Sequence, residues 1–286
     1  MIMKKWIYIL IGCLSFSACK EDEKAVVPEV SFSDFQDPRD GTTYKCITVG
    51  GDTWLAENLR YHVAGGFYSG CLRYGESWAG WTQAQFDTWL KSVYKAGKME
   101  KELYDECSAL RGQGYVPRVL LEMIGYKFPE TLLDEIMVYD KTAVNDFGYL
   151  YSYEALKQAV IPGWEIPTDA DWKRLEQLLG MSGGELDRME AWRGNGQAEL
   201  LMEGEQGIGF NVKFSGGRVY HSDDRDGVYE GKACKAIFWA SDTLDGGEEG
   251  YLGVVRTLLL NDSRIWKGTS KRSGTAYYVR CIRRKQ

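Results

Sequence analysis

The 286 residues carry 35 lysines and arginines against 41 aspartates and glutamates, a formal net charge of −6. That balance offers no electrostatic attraction for a nucleic-acid backbone, so nucleic acid is excluded as a partner. With 33 glycines, 13% aromatic residues and only 6 prolines, the composition favours a loop-rich fold with aromatic anchors over a helical bundle, in one large domain or two ordinary ones.

The chain opens with Lys4 and Lys5, followed by an apolar run from Trp6 to Phe16 that is too short to span a bilayer as a mature helix. Phe16-Ser17-Ala18-Cys19 leads small residues into a cysteine that a polar tract follows at once. It resembles a bacterial lipoprotein signal. Residues 1–18 are therefore expected to be removed and Cys19 to carry the lipid, palmitate included, as the new N-terminus. Loss of Lys4 and Lys5 would leave the mature chain more acidic still. Lys20-Glu21-Asp22-Glu23-Lys24 is similar to tracts that mark surface-exported lipoproteins, and reads equally as a solvated tether. Residues 19–34 carry charge, Pro28 and no periodicity, so they are read as a flexible leash.

The domain proper is expected over 35–286. Asp40-Gly41 is a turn signal, and Tyr44–Val49 is a strand of β-branched and aromatic residues. Gly50-Gly51-Asp52 makes a hairpin connection, and Thr53–Ala56 is the returning strand. The stretch from about 62 to 145 is far too long for a structureless loop. Its apolar residues have helical spacing at Phe86, Trp89, Leu90, Val93 and Tyr94, then at Leu103, Cys107 and Leu110. Further helical patterns lie near Val119–Ile124 and Leu132–Val138, so the whole reads as a helical insertion.

The most informative stretch is Gly163 to Gly180. Ile166 precedes a proline and is pushed toward extended backbone. Thr168 can N-cap a helix with Asp169 and Asp171 in its first turn, Asp171 completing a capping box. Trp172, Leu175, Leu178 and Leu179 are placed on one face toward a core that also takes Trp164, and Gly180 suits the stop. Beyond it, Gly183–Met202 reads as helical in places, broken at Gly194-Asn195-Gly196. Strands are expected at Phe210–Phe214, Val219-Tyr220, Ala236–Ala240, Tyr251–Leu260, Arg264–Trp266 and Ala276–Arg283. Turns separate them at Gly216-Gly217, Gly246-Gly247 and Asn261-Asp262. Val254-Val255 and Leu258–Leu260 suit a strand buried on both faces. The class is α+β.

Several of these blocks resemble the Fibrobacter succinogenes major paralogous domain, in the same order. They are Asp37-Pro-Arg-Asp-Gly-Thr-Thr-Tyr44 with Trp54-Leu-Ala-Glu-Asn-Leu59, and Tyr149-Leu-Tyr-Ser-Tyr153, in which Tyr153 stands at the usual Trp position. Gly163-Trp164 with Pro167-Thr168 and Trp172, Gly209-Phe210 with Gly216-Gly217-Arg218, Phe238-Trp239-Ala240-Ser241 and Tyr278-Val279-Arg280-Cys281 follow. The resemblance covers about two thirds of the chain; the helical insertion departs from it. It implies a C-type lectin-like fold, with two helices, small twisted mainly antiparallel sheets and neighbouring N- and C-terminal strands. It also implies a secreted or lipid-anchored surface protein, here in the outer membrane of a Gram-negative bacterium. Cys71 and Cys107 loosely resemble a cysteine pair of some members. Pro167-Thr168-Asp169-Ala170-Asp171-Trp172 is also similar to formylglycine-generating enzymes. Those rely on a late catalytic cysteine pair, whereas here Cys281 is in the last strand and Cys234 well upstream.

No residue set converges on catalysis. His221 adjoins Ser222, Asp223 and Asp224 without a nucleophile elbow, and His62 has less around it. Asp223, Asp224 and Asp226 lack the twelfth-position Glu of an EF-hand. Asp242, Asp245, Glu248 and Glu249 form a second acidic loop without the lectin Glu-Pro-Asn signature, so no cofactor is expected, calcium being the one considered. Excluding Cys13 and Cys19, five cysteines remain (Cys46, Cys71, Cys107, Cys234 and Cys281), enough for two disulfides and one thiol. The expected function is non-catalytic binding of a glycan or surface protein through loops carrying Trp239, Asp242, Asn261, Arg264, Trp266 and Tyr277. Trp78 and Trp81 open the insertion as further aromatic candidates. The alternatives are an enzyme using Asp and Glu of the late loops on surface polysaccharide or protein, and a structural subunit of a surface assembly contacting others through the insertion.

Overall fold

The computed structural model describes residues 24–64, 70–73, 77–78, 81–138, 143–221, 224–247 and 250–285. Among these, the strands form three sheets. β1 (Val30–Gln36), β2 (Thr43–Val49), β3 (Asp52–Leu55) and β15 (Ile282–Arg283) lie in the order β1-β2-β3-β15. The larger sheet runs β4 (Cys71–Leu72), β7 (Leu150–Ser152), β14 (Ala276–Tyr277), β9 (Ser215–His221), β11 (Lys235–Asp245), β12 (Tyr251–Leu259), β13 (Ile265–Lys271) and β8 (Ala191–Arg193). β10 (Asp224–Lys232) pairs with β9, while β5 (Ser77–Trp78) and β6 (Met137–Val138) pair with each other. The fold is α+β, with mostly antiparallel pairing, a parallel contact between β9 and β11, and isolated parallel bridges such as Phe238 to Tyr278.

The hairpin forms as its residues require. Gly50 and Gly51 adopt φ of +61° and +94°, the left-handed pair that matches strand twist in a tight turn. β3 is then sandwiched by β2, with Ile47 opposite Trp54, and by β15, with Ile282 opposite the same Trp54. The two ends of the domain are thus joined through one tryptophan.

The helix Asp169–Leu178 carries the full capping box. The Thr168 hydroxyl accepts from the Asp171 N–H at 3.1 Å, and the Asp171 carboxylate accepts from the Thr168 N–H at 2.7 Å. Gly180 follows at φ +91°. Trp172 is buried with its ring 5.1 Å from Trp54 and 5.8 Å from Phe238. This packs the helix on one face of the large sheet. The other face covers a second core of Tyr44, Tyr151, Trp239, Tyr277 and Val279. In β12, Val254 and Leu258 enter the first core and Val255 the second, as a strand covered on both sides must.

Several local expectations change. The leash ends early: Val30–Gln36 is a strand on β2, and Val26 donates to the Leu179 carbonyl. Val30 and Phe35 point to opposite cores, an alternation masked by the polar residues between them. Leu178 is exposed and leans on Gly50, while Glu176 takes the inward position. Phe210–Phe214 holds no named strand, only a bridge from Val212 to Met202, and Gly216-Gly217 lies within β9 instead of forming a turn. A Cβ on Gly217 would sit 2.8 Å from the Tyr277 ring, so close packing explains that glycine. Ala191–Arg193, read as part of a helical region, is a strand.

The insertion holds helices Gln83–Lys95, Lys101–Gly112, Pro117–Ile124 and Glu130–Ile136 around their own core of Phe86, Leu90, Cys107, Leu120 and Ile136. Trp81 packs against Trp89 at 5.9 Å.

Arg280 ties the last segment to the rest. Wholly buried, it donates to the Asn58 side chain at 2.7 Å and to the carbonyls of Phe210 at 2.6 Å, Asn211 at 3.0 Å and Leu55 at 3.2 Å. Burial pulls its pKa down to about 9, which still leaves it cationic at neutral pH. Arg280→Met should cost about 3 kcal/mol by urea denaturation, because four buried acceptors lose their donor together.

Candidate functional site

A cluster of ionised groups lies between the central helix and the large sheet. The Glu176 carboxylate, fully buried, receives both terminal nitrogens of Arg193 at 2.9 Å and the Arg256 Nε at 2.6 Å. The Arg256 Nη2 continues to Asp169 at 2.7 Å, and Asp169 also accepts from the Lys267 ammonium at 2.9 Å. β12 and β13 align Arg256 with Lys267, and β13 and β8 align Ile265 with Arg193. Strand pairing thus sets all three cations on the helix-facing side. Burial pushes the Asp169 carboxyl up, but Arg256 and Lys267 outweigh it and hold the pKa near about 2. Burial lowers the Lys267 pKa despite that carboxylate. Asp171, beside Arg284 and Thr168, is held well below the usual carboxylate range although burial opposes this.

The helix in turn sets the position of an adjacent cleft. The Ser241 N–H donates to the Pro167 carbonyl at 2.9 Å, and the Asp242 carboxylate accepts from the Asp169 N–H at the helix start. Next to this junction lies a cleft of about 610 Å³. The segment Tyr153–Val160, the segment Trp164–Ile166, the Ser241–Thr243 stretch of β11 and Arg272 enclose it. Tyr153 is braced by its hydroxyl donating to the Ser241 carbonyl at 2.6 Å and by Trp239, whose ring stands edge-on at 5.3 Å. The Arg272 guanidinium lies 4.5 Å over the Tyr153 ring and pairs with Glu154. Trp164 is packed on Phe35, with Arg283 5.0 Å from its ring on the cation–π side, and its indole Nε1 is buried without an acceptor. The cleft therefore combines aromatic faces with hydroxyls and both signs of charge, which suits a polyhydroxylated ligand.

The expected site residues do not meet in one place. Trp239 and Tyr277 are buried and touch at 4.6 Å, with the Trp239 N–H on the Tyr151 carbonyl and the Tyr277 hydroxyl on Ser270. They form the wall behind Tyr153 instead of a contact surface. Asp242 caps the central helix. Asn261 is exposed in the turn between β12 and β13. Nearby, Arg264 pairs with Asp262 at 2.8 Å and lies 5.7 Å over Trp192, whose ring is 5.6 Å from Trp266. That second group belongs to the opposite end of β13 from Arg272. The cleft residues Tyr153, Lys157, Trp164 and Arg272 come from three separate stretches, which no local pattern brings together; the departure of Tyr153 from the family's Trp is the available signal.

Cys19, Ser222, Asp223, Glu248 and Glu249 lie outside the described residues, as do the side chains of Trp78 and His221. No group of three or more His, Cys, Asp or Glu residues among the described ones is arranged to hold a metal ion. The five cysteines expected to supply disulfides are all thiols. Cys46 and Cys281 flank Leu55 from opposite sides of β3, roughly 10 Å apart by strand spacing and beyond disulfide reach. Cys71 and Cys107 belong to different cores, and Cys234 is exposed. Burial pushes the thiol pKa of Cys46 up to about 11 and of Cys107 and Cys281 to about 12, so these three stay protonated and unreactive.

Together these features define a mixed α+β domain with a lateral cleft beside its central helix. The chain belongs to the Fibrobacter succinogenes major domain family, whose model matches residues 47–283. No curated protein and no solved structure matches it.

Two outcomes follow from the ion cluster. Asp169 has a folded pKa below its unfolded value, so its contribution is present above about pH 4 and is lost as pH falls toward 2. It should amount to about 2 kcal/mol, and Asp169→Asn should flatten that acid limb in denaturation curves taken from pH 6 to pH 2. Glu176→Ala should cost about 4 kcal/mol, because it leaves two buried guanidinium groups without their carboxylate.

Proposed function

We propose that this is a lipid-anchored protein of the bacterial outer membrane, exposed at the cell surface, which binds a glycan in the cleft beside its central helix and makes or breaks no bond there. The observation that carries the reading is the cleft itself. Its volume of about 610 Å³ suits a short saccharide, and the partly exposed ring of Tyr153 stands beside Ser241, Thr243 and charged partners, with the buried Trp164 forming part of the wall. The arrangement of the domain is proposed to be C-type lectin-like, a reading supported by the pairing of β3 with β15 and by helices packed on mainly antiparallel sheets. Lipid attachment at Cys19 is supported by the residues around it and by the acidic tract that follows. No helix among the described residues is long and apolar enough to cross a membrane.

A glycan array probed with the soluble domain should retain specific saccharides. Tyr153→Ala should weaken that retention by about tenfold, the worth of one ring–sugar face. Thr243→Arg, which fills the cleft from an exposed position, should abolish it without lowering the melting temperature. Retention unaffected by Thr243→Arg would refute the cleft as the site. Metabolic labelling with palmitate should mark the wild-type protein and not Cys19→Ser.

A protein partner is the second reading, favoured by Tyr115, Val116 and Met123, apolar side chains exposed on and just before the helix Pro117–Ile124 of the insertion. Val116→Asp with Met123→Asp should then release a co-purifying partner while leaving glycan retention intact.

A further inference from the structure

The charges lining the cleft are not equivalent. Glu154, Lys157, Glu165 and Arg272 all face it. Glu165 is already neutralised by Arg284, outside the lining set, and its backbone N–H is held by Ile282. Lys157 makes no ion pair among the described residues. Arg272 engages Glu154 through Nη2 alone, while its Nε is buried with no acceptor. An arginine facing a carboxylate usually makes two parallel bonds, so this guanidinium has donor capacity left unused. Its plane is held in place by the Tyr153 ring at 4.5 Å. Glu154, by contrast, is more than half exposed on the short 3-10 helix Tyr153–Ala155, with a side chain that can swing away into solvent.

We infer that the cleft is built for a carboxylate-bearing saccharide, such as a uronic acid unit, and that Glu154 occupies Arg272 as a placeholder which the ligand's carboxylate displaces. The inference rests on the glycan-binding reading above and adds the ligand's charge. In the empty cleft the pair Glu154–Arg272 and the pair Glu165–Arg284 cancel, and Lys157 remains as excess positive charge. An incoming carboxylate would take Arg272 in two-bond geometry, stack its ring on the aromatic wall beside it and lie within the field of Lys157. Ser241 and Thr243 would face its hydroxyls from β11. Released Glu154 is exposed enough to be hydrated at little cost. A neutral sugar gains nothing from Arg272, because it cannot compete with the carboxylate already there.

Isothermal titration of the folded soluble domain with trigalacturonate and with its methyl ester tests this, the two probes sharing one sugar skeleton while the ester's methyl groups remove the charge. The acid should bind at least tenfold more tightly than the ester at low salt, and the margin should shrink as salt rises. Arg272→Gln should remove the preference. Glu154→Gln should act in the opposite direction, tightening the acid by roughly threefold, since both the competitor and a like charge are gone. Lys157→Glu, at an exposed position that leaves folding intact, should weaken the acid even if Arg272→Gln fails to fold. Equal affinity for acid and ester, or weaker acid binding by Glu154→Gln, would overturn the inference while leaving the glycan reading in place. If neither trigalacturonate nor its ester nor any arrayed saccharide binds, both fall together.

Discussion

The contact on which the rest of this structure depends is the one between Glu176 and its two arginines, Arg193 and Arg256. Apolar packing of Trp172 and Leu175 supplies most of the helix's affinity for the sheet, yet it is non-directional and would tolerate sliding. A buried carboxylate held by three charge-assisted bonds tolerates very little. Each of these ions has left water, so any displacement leaves charge uncompensated in a low-dielectric interior. The cluster therefore selects one register of the helix on β12, β13 and β8, and its extension to Asp169 holds the helix start as well.

From that register the cleft follows. With the helix start in place, the Pro167 carbonyl accepts from the Ser241 N–H and the Asp169 N–H donates to the Asp242 carboxylate, which draws the end of β11 against the Trp164–Ile166 segment. Tyr153 then meets Trp239 and closes the opposite wall. The cleft is thus a consequence of core electrostatics, and its lining comes from regular elements or their immediate ends. Such placement makes the cleft a preformed feature of the fold.

Much of the framework could be read from the residues: the capped helix, the glycine hairpin, the doubly covered β12, and a last strand returning to the first hairpin. Each depends on local chemistry or short-period patterning. The ion cluster could not be read in the same way, although a hint was present. Trp172, Leu175, Glu176 and Leu179 have the i, i+3, i+4, i+7 spacing of a buried face, which puts a glutamate inside; preferring Leu178 to Glu176 followed hydrophobicity and lost to geometry. Its partners at 193, 256 and 267 are remote in the chain and visible only once strands pair. The same applies to the cleft. Trp239 and Tyr277, expected as ligand contacts, fill the core on the sheet's second face, which needs large rings there. β1 was hidden by its polar alternates, and β8 by its short length.

The central claim is an energetic one, and a double-mutant cycle measures it directly. Urea denaturation of Glu176→Gln, Arg256→Gln and the double variant yields the coupling between these two side chains. A coupling of about 2 kcal/mol or more is the result this account predicts for a buried, hydrogen-bonded pair that sets the register of the helix. A coupling within about 0.5 kcal/mol of zero, as for independent sites, would contradict it and leave apolar packing alone to position the helix and the cleft beside it.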